Sequence, residues 1–259
     1  MRITLLGTGT STGVPIIGCP CSVCHSKDPR DQRTRTSLAI VTEASKVIII
    51  DTTPEFRIQM LRENLTTVDS VLYTHIHADH CHGFDDLRAI YFRTKRSVPC
   101  YLPQEMMAEF RSRFDYAFRD TGYLGTKPQV ELIATPEGTF SLHGLEFEAV
   151  RLPHGSVSTV GFRSGRFAYA TDFKAFPDHV IEAWRGKIDV MVASGIHFGQ
   201  HPTHSVIPET AELFKKLGVK RGILTHLAHD VDIRRDLSRL PAYVEFGYDG
   251  LSFEINGGN

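Results

Sequence analysis

The sequence predicts an α/β protein, one domain over residues 1–259, made of two half-units that each carry a mixed sheet with its helices outside, an αββα sandwich. Three observations predict it. Strand-like and helix-like stretches interleave over residues 46–118. After Gly138 the pattern changes to successive strands joined by two-residue turns, the usual hairpin signal. Over the last third the alternation returns, and residues able to bind metal stand just after apolar strand segments.

Taken in order, Met1-Arg2-Ile3-Thr4-Leu5-Leu6-Gly7 is a short strand running into glycines. The run Gly7-Thr8-Gly9-Thr10-Ser11-Thr12-Gly13-Val14-Pro15 follows it as a dinucleotide-binding loop would. Pro15, Gly18 and Pro20 forbid the helix that would have to present its N-terminus to a pyrophosphate, so the run reads as a tight turn near a metal centre. Lys46 to Ile50 is an apolar strand, followed by Asp51 and a helix over Pro54 to Glu63. Ser70-Val71-Leu72-Tyr73 is the next strand. Phe84 to Arg93 and Gln104 to Phe118 have helical spacing, and the aromatics of the second belong to the core. Beyond Gly138 come Phe140 to Leu142, a His143-Gly144 turn, Leu145 to Leu152, Thr159 to Arg163, a Ser164-Gly165 turn, and Arg166 to Ala170. The end alternates helix Pro177 to Trp184, strand Asp189 to Ala193, helix Pro208 to Leu217 and strand Gly222 to Leu224.

Composition narrows the class. With 41% hydrophobic and 23% charged residues the chain is an ordinary globular protein, and a net charge of -1 supplies no general attraction for a polyanion. Bulk nucleic-acid binding is not favoured. No segment approaches the roughly 18 apolar residues of a membrane span, and the N-terminus lacks the apolar core of a signal peptide. A cytoplasmic location, without membrane association, is therefore expected, with the five cysteines reduced and closely spaced ones holding metal.

The chemistry concentrates at Thr74-His75-Ile76-His77-Ala78-Asp79-His80, directly after an apolar strand. Four potential ligands so close together cannot all face one ion from a regular element, so the turn must splay them, which suits two adjacent ions. His75 and His77, two apart on an extended exit, point the same way and can share a metal, while Asp79 and His80 reach a second. Three later residues stand at strand ends and can complete the set: His154, Asp172 and His226. A carboxylate between two cations roughly 3.5–4 Å apart partly neutralises both, and a water shared by them becomes hydroxide near neutral pH.

A second site is read from Gly18-Cys19-Pro20-Cys21-Ser22-Val23-Cys24, three thiols in six positions. His25, Cys81, His82 and His229 qualify by type as the fourth partner. His229 is preferred because it lies three residues past His226 and would tie the N-terminal loop to the catalytic loop. A closed Cys₃His zinc site is structural.

The HxHxDH run at residues 75–80 resembles the metal-binding motif of the metallo-β-lactamase superfamily. That resemblance implies an αββα sandwich and a hydrolase of esters, thioesters, amides or phosphodiesters. It places His75, His77 and His154 on one metal and Asp79, His80 and His226 on the other, with Asp172 bridging. The cysteine cluster after the glycine run, together with Thr225-His226-Leu227-Ala228-His229, resembles the phosphoribosyl cyclic phosphodiesterase (PhnP-like) branch over nearly the whole chain. The implied cofactors are two divalent ions, Zn²⁺ or Mn²⁺, and one structural Zn²⁺. The implied reaction is phosphodiester hydrolysis by a metal-bridging hydroxide, on a small substrate, possible examples being cyclic nucleotide-like or phosphoribosyl esters. Asp79 and His204 are the candidate catalytic residues, His204 as general acid or phosphate contact. His197 and His201 are candidate substrate contacts and Arg33 and Arg35 weaker cationic ones. Resembling enzymes are often homodimers.

One departure bears on substrate. After the strand Asp189 to Ala193 an acidic residue or cysteine is expected, whereas this chain has Ser194-Gly195-Ile196-His197. The rival readings are a pyrroloquinoline quinone biosynthesis-type protein, a tRNA 3′-processing-type enzyme, disfavoured by length and charge, and a metal-binding scaffold without turnover.

Overall fold

The computed structural model describes residues 1–120, 122 and 125–255; the remaining positions of the expected domain lie outside the described residues. In chain order the first half contains β1 (Arg2–Gly7), β2 (Ser37–Val41), β3 (Val47–Ile50), α1 (Phe56–Arg62), β4 (Ser70–Leu72), α2 (Ala78–Cys81), α3 (Leu87–Thr94), β5 (Val98–Leu102), α4 (Met107–Arg113), α5 (Asp115–Phe118) and β6 (Val130–Ala134). The second half contains β7 (Gly138–Leu142), β8 (Leu145–His154), β9 (Val157–Ser164), β10 (Phe167–Ala170), α6 (Asp178–Trp184), β11 (Val190–Ser194), α7 (Ile207–Leu217), β12 (Arg221–Thr225), α8 (Ile233–Asp236), β13 (Val244–Phe246) and β14 (Ser252–Glu254).

Among the described residues the strands form two seven-stranded sheets, ordered β14-β1-β2-β3-β4-β5-β6 and β13-β12-β11-β10-β9-β8-β7. Both are mixed. In the first, β3 to β6 run parallel and β1, β2 and β14 antiparallel; in the second, β10 to β13 run parallel and β7 to β9 antiparallel. The strand period of two explains the layers. Ile48 and Ile50 of β3 join Phe162, Tyr169 and Val192 of the other sheet in a core between the sheets. Ile49 faces the opposite way, into a cluster with Phe56 of α1 and Phe110 of α4. Ala168 and Met191 likewise meet Trp184 of α6 and Phe214 of α7. Covered on both faces, these strands read as continuous apolar runs. The expected αββα sandwich, with its helices outside, is what forms.

Several local expectations are corrected. The single helix over Gln104 to Phe118 is broken, because Phe114 leaves helical backbone (φ -111°, ψ 34°) and lays its ring 4.6 Å from that of Phe84. The second hairpin turn is Gly165-Arg166, one residue later than Ser164-Gly165, since Ser164 still pairs with Phe167 and only Gly165, at φ 55°, opens the turn. His143-Gly144 forms its turn as expected, both residues at positive φ. β5 contains Pro99, which argues against a strand in sequence, yet it lies between β4 and β6. Among the described residues no helix is long and apolar enough to cross a membrane.

Candidate metal centre

The centre gathers at strand ends, with Asp79 and His80 on the short helix α2 that follows β4. Asp51 follows β3, the run from His75 to His80 leaves β4, His154 closes β8, Asp172 lies two residues past β10, and His226 follows β12. Strand ends face a shared crevice, while the buried sheet hydrogen bonds hold the backbone that aims each side chain. Asp51, Asp172 and His226 all adopt positive φ, at 65°, 53° and 55°. Left-handed backbone at three non-glycine residues costs of order 1 kcal/mol each and collects where function over-determines the geometry.

The donor atoms of His75, His77, His154 and Asp172 lie within 4.8 Å of one another, and so do those of Asp79, His80, Asp172 and His226. Asp172 is common to both groups. Its Oδ2 is 3.4 Å from His80 Nε2, 3.8 Å from His75 Nε2 and 3.9 Å from His154 Nε2, and its Oδ1 is 3.2 Å from His226 Nε2. Asp79 Oδ2 stands 3.3 Å from His80 Nε2 and 3.8 Å from His226 Nε2.

Hydrogen bonds on the outer edges decide which nitrogens face inward. Thr74 Oγ1 donates to Asp51 Oδ2 at 2.8 Å, so it can only accept from His75 Nδ1, 3.0 Å away. His80 Nδ1 donates to Asp51 Oδ2 at 2.7 Å, and His154 Nδ1 to the Thr203 carbonyl at 3.2 Å. With Nδ1 so engaged, each ring turns Nε2 toward the centre, the nitrogen through which it would hold a metal. His80 Nε2 and both ring nitrogens of His226 are buried and find no hydrogen-bond partner among the described residues. Converging lone pairs and carboxylates repel one another unless a cation lies among them, and N/O donors in this number suit Zn²⁺ or Mn²⁺. The residues fit such ions.

The electrostatics agree. Burial opposes charge on His80, but Asp172, Asp79 and Asp51 around it outweigh that and push its imidazole well above its ordinary range. Burial raises Asp172 and Asp79 too, yet the facing imidazoles hold both carboxyls below the usual carboxylate range. The centre is a place that demands positive charge.

The thiols form the second group. Donor atoms of Cys19, Cys21, Cys24 and His229 also lie within 4.8 Å of one another. His229 Nδ1 is 3.3, 3.4 and 3.8 Å from the three sulfurs in that order. The Cys24 amide donates to Cys21 Sγ and draws that thiol down to about 6, whereas burial pushes Cys24 up to about 11. All five cysteines are free thiols. Cys81 donates to the Ile76 carbonyl instead, and the His82 ring packs edge-on against Phe114, so neither is in the group, nor is His25.

Comparison with known proteins then supplies the lineage. Residues 46–227 match the family described as the β-lactamase superfamily domain. The chain belongs to that superfamily. A crystal structure of a new diphosphatase from the PhnP family is similar to this superfamily member at TM-score 0.90 and 36% identity, covering 98% of each chain. The Zn²⁺-bound PqqB of Methylobacterium extorquens superposes at TM-score 0.79 with 17% identity, covering 98% of this chain and 100% of its own, a likeness of fold. A curated relative, an octanoyltransferase of Porphyromonas gingivalis, is 39% identical over 99% of this chain. The chain spans about half of that relative, 52% of its length.

A cavity of about 290 Å³ opens over the two donor groups that share Asp172 in this β-lactamase-superfamily chain, with Ser11, Ser156, Val157, Thr203 and His204 on its walls. His204 stacks on His226 (5.0 Å between centroids, 17°) and meets His154 edge-on at 4.7 Å. His201 lies behind it, 4.7 Å from its ring, and His197 a further 6.0 Å out; neither lines the cavity. Arg33 is not a phosphate contact. It is 1% exposed, pairs with Asp31 at 2.7 Å, and ties down main-chain carbonyls. Arg35 pairs with Glu55 and donates to the Ser11 carbonyl. Ser194 is buried in β11, its hydroxyl without a hydrogen-bond partner among the described residues. Sequence reasoning missed the roles of Asp51, Thr74 and Thr203 in orienting ligands; an acidic residue ending an apolar strand was the one signal for Asp51.

Proposed function

We propose that the protein is a metal-dependent hydrolase whose substrate is a small or cyclic phosphodiester. The observation that supports this above all is Asp172, one buried carboxylate shared by two donor groups at the base of a small polar cavity. In this reading His75, His77, His154 and Asp172 hold one divalent cation, and Asp79, His80, His226 and Asp172 hold the other. Cys19, Cys21, Cys24 and His229 hold a structural zinc. When bound, the cation pair would supply an acidified water and offset charge on phosphoryl oxygens.

The chain's own residues do the rest. Asp172 keeps the two halves in register, and Asp51 and Thr74 lock the tautomers of His80 and His75. Burial pushes His204 down to about 3; Asp172 opposes this, while His226 and His154 reinforce it. The ring is therefore neutral near pH 7 and serves as a hydrogen-bond partner for a substrate oxygen. Its Nδ1 is buried and finds no partner among the described residues. Asp79, held ionised, is both ligand and acceptor beside the reacting group.

The cavity supports a small substrate. Its volume lies at the lower edge of small-molecule sites, and among the described residues no lysine or arginine lines it, which weighs against a tRNA-processing role. Among the described residues Val157 is the one large hydrophobic lining it, which weighs against an octanoyl chain as its occupant. A diphosphate is the second reading, favoured by the 36% identical diphosphatase.

Bis(p-nitrophenyl) phosphate tests the proposal. Hydrolysis stimulated by Mn²⁺ or Zn²⁺ is expected, and silence with both donor sets loaded would leave a scaffold. His204→Ala should lower kcat by about a hundredfold with metal content unchanged; full kcat would remove it from the mechanism. Asp51→Asn keeps shape but weakens the acceptor for His80. Metal affinity at the His80 half is expected to fall about 10–100-fold by calorimetry, and wild-type affinity would deny Asp51 its orienting role.

A further inference from the structure

Buried arginines are uncommon, and the Arg33 guanidinium reaches the segment from His226 to Val231, where the two donor groups come closest along the chain. Its backbone pairs with Val14 through hydrogen bonds of 2.8 and 2.9 Å, and Val14 packs against Val23 and Cys24 of the thiol loop. Its guanidinium crosses to the other loop, donating to the Ala228 carbonyl at 3.0 Å and the Val231 carbonyl at 2.7 Å. Asp31, itself buried and held by Ser26, fixes the guanidinium at 2.7 Å. Ala228 lies between His226 of the dinuclear centre and His229 of the thiol site. The same step is pinned by Leu227 N–H donating to the Thr8 carbonyl at 2.8 Å and Ala228 N–H to the Ile196 carbonyl at 2.9 Å. His226, at φ 55°, keeps its strained backbone only while these contacts hold.

We infer that Arg33 is a positioning residue that couples the two centres, so that filling the thiol site raises metal affinity at the Asp79–His80–His226 group. This rests on the reading that both groups bind metal. Metal at the thiol site fixes His229 and the loop carrying Val14 at once. Arg33 joins the two, leaving the segment from His226 to Val231 less freedom to lose when the dinuclear half binds. The linkage is reciprocal, so metal at the dinuclear centre retards loss from the thiol site.

The full chain, stripped of metal, is titrated with Mn²⁺ by calorimetry, with and without one equivalent of Cd²⁺. Cadmium prefers thiolates, and its sulfur charge-transfer band reports occupancy of the cysteine group. Cadmium-loaded protein is expected to bind Mn²⁺ about tenfold more tightly than cadmium-free protein. In Arg33→Lys, which keeps the ion pair but cannot fork across two carbonyls, the gain should shrink to about twofold or less, with both groups still binding. If that variant fails to fold, Arg33→Met combined with Asp31→Asn removes both buried charges together and takes its place. Equal Mn²⁺ affinities with and without cadmium in wild type, or a full gain in the variant, would overturn the coupling. A missing charge-transfer band would instead overturn the reading of the cysteine group itself.

Discussion

Asp172→Asn is expected to lower phosphodiester hydrolysis by about a thousandfold or more and to reduce bound metal at the dinuclear centre. The side chain keeps its size, and asparagine tolerates the left-handed backbone at φ 53° better than most residues, so the fold should survive. What disappears is the one negative charge common to both donor groups. Its two oxygens face His226 on one side and His75, His80 and His154 on the other. Losing that charge leaves two cations repelling across a neutral amide. Transition-state stabilisation by metals is worth several kcal/mol, and each 1.36 kcal/mol is tenfold in rate. Metal analysis and kinetics on the same preparation check it. A variant with near-normal turnover and full metal would mean the carboxylate does not join the two groups.

Cys21→Ser should cost about 4 kcal/mol of stability, roughly 10 °C in melting temperature, by losing metal from the thiol site. Beyond the backbone pair of Val14 with Arg33, the loop from residue 14 to 24 rests on a small cluster of Val14, Val23 and Cys24 apart from the three large cores, and Ile17 is fully exposed. The Cys24 amide draws the Cys21 thiol down to about 6, so replacing it removes a readily formed thiolate. Scanning calorimetry and cobalt absorption follow the two effects together. Chelation of the wild type should reproduce the loss, and an unchanged melting temperature in both experiments would make the cluster dispensable to the fold.

The centre divides into a part readable from local spacing and a part made by contacts distant in sequence. His75, His77, Asp79 and His80 fall within six positions, so strand exit and helix start alone throw them to one side. Asp51 reaches His80 across 29 residues and Thr203 reaches His154 across 49, and no local pattern marks such pairs. Arg33 shows the converse. Residue type suggests an exposed cation beside a phosphate, yet burial with Asp31 turns it into a tie between main-chain loops.

From sequence alone came the two half-units, the ligand residue types, the cysteine cluster and the preference for His229, because side-chain chemistry and the periods of strand and helix are local properties. Tertiary structure decided where Gln104 to Phe118 breaks, which β-turn closes the second hairpin, which imidazole nitrogens face inward, and that Arg33 serves a loop. Those outcomes depend on burial and on hydrogen bonds between segments far apart in the chain, whose free energies exist only once the sheets have packed.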